Sequence, residues 1–139
     1  MVSTKRISLE TRGNGDTQDI TREVARAVGE SGVASGVVTL FCPGSTSGLT
    51  TIEFEPGAVA DLQQVFDETV PRDRYYRHNE RWGDGNGHSH VRAALLGPSL
   101  SVPFVDGVLT LGTWQQIVHI DFDVRSRRRD VIAQIVGEL

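Results

Sequence analysis

Apolar and polar positions first alternate along this chain and then step by three or four. In "KRISLET", Ile7 and Leu9 are separated by polar neighbours, which predicts a strand, and "RGNGD" closes it with turn-forming residues. Across "DTQDITREVARAVGESG" the residues Ile20, Val24, Ala27 and Val28 fall at helical spacing, with Asp16 or Thr17 as the cap and Gly32 as the stop. "VASGVVTLFC" is a β-branched, apolar run of strand length. "TTIEFE" alternates Ile52 and Phe54 with Glu53 and Glu55, and reads as another strand beyond the loop "PGSTSGL". Pro56 suits the first turn of a helix with Val59, Leu62, Val65 and Phe66 on one side, and Pro71 stops it.

Residues 71 to 87 read as a polar loop, and "SHVRAALLG" as a short helix ended by Gly97. "SLSVPFV" and "VLTLGTW" flank "DG", a hairpin signal, because such a turn needs positive φ. "QQIVHIDFDV" places Val118, Ile120 and Phe122 on one face and Ile117, His119, Asp121 and Asp123 on the other, and "RDVIAQIVGE" is a last strand. The expectation is one α+β domain over 1–139: a largely antiparallel sheet or sandwich with two longer helices and one short one.

Composition narrows the partners. The 139 residues suit one core, and the 38% apolar content is that of a globular chain. Eighteen acids against 14 bases give a net charge of −4, with no basic stripe for nucleic acid. The single cysteine, Cys42, forms no internal disulfide, and no apolar run approaches a signal peptide or a membrane span. These features predict a cytoplasmic protein without membrane or nucleic-acid partners.

Candidate chemistry gathers in "HNERWGDGNGHSH", residues 78 to 90, which holds three of the four histidines. His78, His88 and His90 would suit zinc or a similar divalent ion if they converge. An H-x-H pair converges on an extended segment but diverges by about 200° on a helix. Asp84 and Asn86 lie between glycines, where a carboxylate can hold a cation, orient a histidine or accept a proton; a tight Asx turn explains them equally. Ser45, Thr46 and Ser47 in "CPGSTSGLTT" offer hydroxyls to phosphate without a P-loop pattern. Glu53 and Glu55 share one face of their strand and His119 and Asp121 share one face of theirs, and each pair reads most simply as the solvated side of a sheet. Arg127, Arg128 and Arg129 form a charge run able to grip phosphate.

"YRHNERWGDGNGHSHVRAALLGPSLSVPF", followed by "GVLTLGTWQQIVHIDFD" and a strand after "RSRRR", resembles the YjbQ family over nearly the whole chain. That family is described as secondary thiamine-phosphate synthases. The resemblance implies a compact α+β fold, a homotrimer with a site near the subunit boundary, and bound metal in some members. His78 and His90 match the family's two loop histidines, whereas His88 belongs to the "DGNGHSH" branch. Where many relatives have H-T-S-A and N-E-N, this chain reads "PGST" and "TIE", which removes one family ligand or base and leaves His88, Glu53 or Asp121 as substitutes.

The activity implied joins a pyrimidine pyrophosphate to a thiazole phosphate and expels pyrophosphate. On this reading Asp84, Asn86 and Glu53 are catalytic, while Ser45, Thr46, Ser47 and Arg128 bind phosphate. Trp82 or Tyr76 contacts a ring. The cofactor is a divalent ion, either zinc at the histidines or magnesium with the substrate. A metal-dependent hydrolase or lyase, and a non-catalytic trimeric protein binding metal or a phosphorylated ligand, are the alternatives.

Overall fold

The computed structural model describes residues 1–139. In chain order the elements are β1 (Val2–Thr11), β2 (Asp16–Asp19), α1 (Thr21–Ser31), β3 (Ser35–Phe41), β4 (Ser47–Ile52), α2 (Pro56–Thr69), α3 (Arg77–Trp82), α4 (Gly87–Leu96), β5 (Ser99–Val105), β6 (Val108–Leu109), β7 (Gln116–Asp121) and β8 (Arg127–Glu138). The strands form a five-stranded sheet, β1-β8-β3-β5-β6, and a three-stranded sheet, β2-β7-β4. Every pairing is antiparallel. The domain is therefore α+β, as expected, but it has four helices.

Three layers follow from which faces are apolar. The inner face of the larger sheet (Ile7, Leu9, Val38, Leu40, Val102, Phe104, Val131, Ala133, Ile135) packs with Leu49 and Ile117 of the smaller sheet and with Val24, Ala27 and Val28 of α1. The opposite face of β7 carries Val118, Ile120 and, just beyond the strand, Phe122; these pack with Phe66 of α2 and Ala93 of α4. Both faces of β7 are consequently buried, so His119 and Asp121 lie in the interior rather than on a solvated face.

Several local expectations are corrected. Residues 16–19 pair with β7 as a short strand, and Asp19, not Asp16 or Thr17, receives the Thr21 N–H at the start of α1. The strand expected at "TTIEFE" ends at Ile52, and the Glu55 carboxylate instead accepts the N–H groups of Gly57 and Ala58, capping α2. On α2 only Phe66 is fully buried, and Val65 faces solvent because the smaller sheet covers a narrow stripe of the helix. The Asp106-Gly107 turn has φ of 50° and 77°, as a two-residue hairpin loop requires.

Candidate functional site

Asp121 at the end of β7, Asp123 just beyond it, Arg129 of β8 and Thr46 before β4 meet between the two sheets. Strand alternation aims Arg129 inward with Val131 and Ala133, and turns Arg128 outward, where it lies exposed opposite Glu10 of β1. Arg129 Nε and Nη2 donate to the Asp121 carboxylate at 2.7 and 3.0 Å, and Nη2 also donates to Thr46 Oγ1 at 2.6 Å. Thr11 Oγ1 donates to Asp121 and Thr46 Oγ1 donates to Asp123. Burial alone would raise the Asp121 pKa, but the hydrogen bonds from Arg129, Thr11 and the Asp123 N–H outweigh it and hold the carboxyl below its usual range. This fully coordinated network is structural, and it uses up the Thr46 hydroxyl that the sequence suggested for phosphate.

The histidine segment is mostly helical. Tyr76 is extended, α3 follows, and Gly83 ends it in the left-handed conformation. Asn79 Oδ1 accepts the Gly87 N–H at 2.8 Å and ties α3 to the start of α4. His88 and His90 both lie on α4 and diverge for that reason. His88 turns into the interior, where burial lowers its pKa, aided by Arg92 and Arg72. His90 turns the other way, and its ring centroid lies 4.3 Å from that of His78. His78 Nδ1 faces Asp84 Oδ1 at 3.5 Å, while the same Asp84 oxygen accepts the Asn86 N–H.

His78 and His90 border a cleft of about 480 Å³ whose other polar lining comes from Arg74, Arg77, Tyr75 and Tyr76. No carboxylate lines it, and it lies on a chain of net charge −4. His90 also borders a smaller depression of about 200 Å³, shared with Gly44, Ser45, Ser47 and Ala93. The Gly44–Ser47 loop and the histidine segment therefore meet at His90. A groove of about 500 Å³ lies elsewhere, between the Arg12–Thr17 turn and the start of α2, but Glu55 already satisfies the helix N–H groups there.

Other expected residues are placed differently. Asn86 is buried, and its Oδ1 accepts the Val124 N–H at 3.2 Å, which joins α4 to the end of β7. Glu53 is exposed and borders neither the cleft nor the depression. Trp82 is exposed beside Arg81 and does not border the cleft, whereas Tyr76 does. No group of three His, Cys, Asp or Glu side chains is arranged to hold a metal ion, so a zinc centre of three histidines does not fit these residues. Sequence reasoning passed over Arg74 and Arg77 and did not single out the inward Arg129 from its run of three; "RDRYYRH" did carry a signal, since three arginines interleave with two tyrosines within seven positions.

Comparison with known proteins shows the family and the fold. Residues 5–138 match the family described as UPF0047 protein YjbQ-like. A UPF0047 protein of Methanothermobacter thermautotrophicus is 37% identical over 92% of this chain and 88% of its own length. UPF0047 protein YugU of Bacillus subtilis is 35% identical over 86% of this chain and 89% of its own. The crystal structure of a YbjQ-like protein of unknown function from Sulfolobus solfataricus superposes with a TM-score of 0.93 at 30% identity, covering 99% of each chain. An uncharacterized YjbQ/UPF0047 protein from Clostridium acetobutylicum gives 0.86 at 37% identity, covering 95% of this chain and 99% of the other.

Proposed function

The chain belongs to the UPF0047 YjbQ-like family, and from the cleft it carries we propose that it is a thiamine-phosphate-synthase-like enzyme acting on phosphorylated substrates. The observation that supports this reading most is the cleft lining: two arginines, two histidines and two tyrosines without a carboxylate. Arginine side chains match phosphate oxygens, and tyrosine rings offer faces to a heterocycle. In the reaction, the thiazole nitrogen forms a bond to the pyrimidine methylene carbon as the carbon–oxygen bond breaks and pyrophosphate leaves with its electron pair. Arg74 and Arg77 neutralise the charge growing on the leaving group, and the tyrosines hold the rings in line. A divalent ion such as magnesium enters with the pyrophosphate as part of the substrate.

Asp84 acts through His78 on this reading, fixing the ring orientation from 3.5 Å. Asp84→Asn keeps the size of the side chain and an acceptor for the Asn86 N–H. We expect turnover about tenfold lower with the fold intact, the scale of losing an orienting carboxylate. Pyrophosphate release from the paired pyrimidine and thiazole substrates measures both points. Release by the wild type, slowed by Asp84→Asn, supports the assignment; no release with any divalent ion overturns the reaction and leaves a binding protein, while hydrolysis of one substrate alone points to a hydrolase.

A homotrimer is part of the same proposal. The outer face of the larger sheet carries Val37 opposite Val136 and Phe41 opposite Ile132, with Val105 nearby, and no helix covers it. Between these rows lie neutral side chains such as Thr39 and Ser101, bonded to each other. Such a patch is unusual on a monomer. Sedimentation equilibrium at micromolar concentration is expected to give three times the 15.2 kDa chain mass. The pair Val37→Glu and Phe41→Glu should give the monomer; a monomeric wild type overturns the trimer.

A further inference from the structure

We propose that the depression formed by Gly44, Ser45, Ser47 and His90 is a second anion subsite, taking the phosphate of the second substrate, so that His90 stands between two anionic groups. The inference rests on the reading of the larger cleft as a site for phosphorylated molecules, and it divides that site in two. Its volume of about 200 Å³, against about 480 Å³ next door, gives room for a phosphate group rather than a whole substrate.

Three observations point to an anion there. Ser47 is 2% exposed, and its Oγ has no oxygen or nitrogen partner, only the Cys42 thiol, a weak hydrogen-bonding group. Arg129 spends Nε and Nη2 on Asp121 and Thr46, but Nη1 takes part in none of those bonds. That nitrogen would lie 3.4 Å from a side chain carbon at Gly44, and the absence of one leaves its approach open. Gly44 has φ of 143°, a backbone shape that larger residues rarely take, so glycine serves both the turn and the opening. Finally, no carboxylate borders the depression, and Cys42 beside Ser47 adds no negative charge, because burial pushes its thiol up to about 11.

The division explains why one imidazole borders both spaces. An anion held by Ser45, Ser47 and Arg129 on one side, and one held by Arg74, Arg77 and His78 on the other, would repel each other across His90. The His90 ring can donate a hydrogen bond to an anion on either side, and it keeps the two apart.

Titration of the isotopically labelled full chain with inorganic phosphate, followed by backbone amide shifts, tests this. Saturable shifts are expected at Gly44 to Ser47 and at His90, separate from those at Arg74 to His78. Ser47→Ala should weaken binding at the depression at least fivefold while leaving thermal stability nearly unchanged, since the hydroxyl it removes meets only a weak thiol partner. Arg74→Ala should weaken only the cleft, and His90→Ala both. Shifts confined to the cleft, or unaffected by Ser47→Ala, overturn the second subsite. Phosphate bound at Gly44 to Ser47 in a protein that releases no pyrophosphate would keep the subsite and refute the reaction; pyrophosphate release with no phosphate response there would do the reverse.

Discussion

Arg129→Leu is expected to destabilise the folded protein by about 3–5 kcal/mol, the scale for removing one partner of a buried ion pair. Asp121 is 0% exposed, and Arg129 contributes two of the hydrogen bonds that hold its carboxylate. Leucine fills much of the space but leaves that charge with only Thr11 and a backbone N–H. Arg129→Lys should recover part of the loss, because an ammonium group cannot reproduce the two-pronged contact. Adding Asp121→Asn to Arg129→Leu should also recover stability, since it removes the stranded charge. Urea denaturation of the four proteins measures the effect. A loss below about 1 kcal/mol for Arg129→Leu would mean that water reaches the carboxylate and that the network holds nothing together.

Acidification should cost nearly as much through His119. This residue is 0% exposed, neither ring nitrogen has a hydrogen-bond partner, and burial lowers its pKa from 6.5 to about 4. Because the folded state binds the proton more weakly than the unfolded chain, the stabilisation is complete above pH 6.5 and is lost as pH falls from there towards 4. The drop amounts to about 3 kcal/mol at 1.36 kcal/mol per pH unit. His88, whose pKa is also lowered, adds to the loss with the same sign. Asp121 and Asp123, held below the usual carboxylate range, lose their contribution only at lower pH, so measurements at pH 7 and pH 5 isolate the histidines. His119→Leu should flatten most of this slope and equal or exceed the wild type at pH 7, because leucine brings no unpaired polar atoms into the core. Equal wild-type stability at the two pH values would refute a buried neutral imidazole.

The two forecasts meet on one strand, at His119 and at Asp121, the partner of Arg129, and their shared cause is that β7 is covered on both sides. A protein that places His119, Asp121 and Asp123 under a second sheet spends interior space on polar groups. The return is a rigid seat for the Gly44–Ser47 loop, since Thr46 is fastened to both Asp123 and Arg129. The loop that borders the smaller anion space is thus held from below by the same network that Arg129→Leu would break. That variant should therefore also weaken phosphate binding at Gly44 to Ser47, beyond what unfolding explains.

Periodicity along the chain was enough for the long elements. The spacing of Val24, Ala27 and Val28, the alternation in "KRISLET" and "RDVIAQIVGE", and the Asp-Gly turn depend on local geometry that each segment carries with it, and the family followed from "LGTWQ", "LLGPSLSVPF" and the histidine segment in order. What only the tertiary structure decided was direction. An alternating strand does not reveal whether its polar face meets water or a second sheet, so His119 and Asp121 looked solvated until β1, β8 and β3 covered them. Neither can a run of three arginines say which one points inward; pairing with Leu9 in β1 settles that for Arg129. Likewise three histidines in thirteen residues left convergence open, and α4, extending back to Gly87 with a turn of about 100° per residue, sends His88 inward and His90 to His78. Segment shape is written in neighbours along the chain, whereas the face a side chain presents is set by what packs across from it.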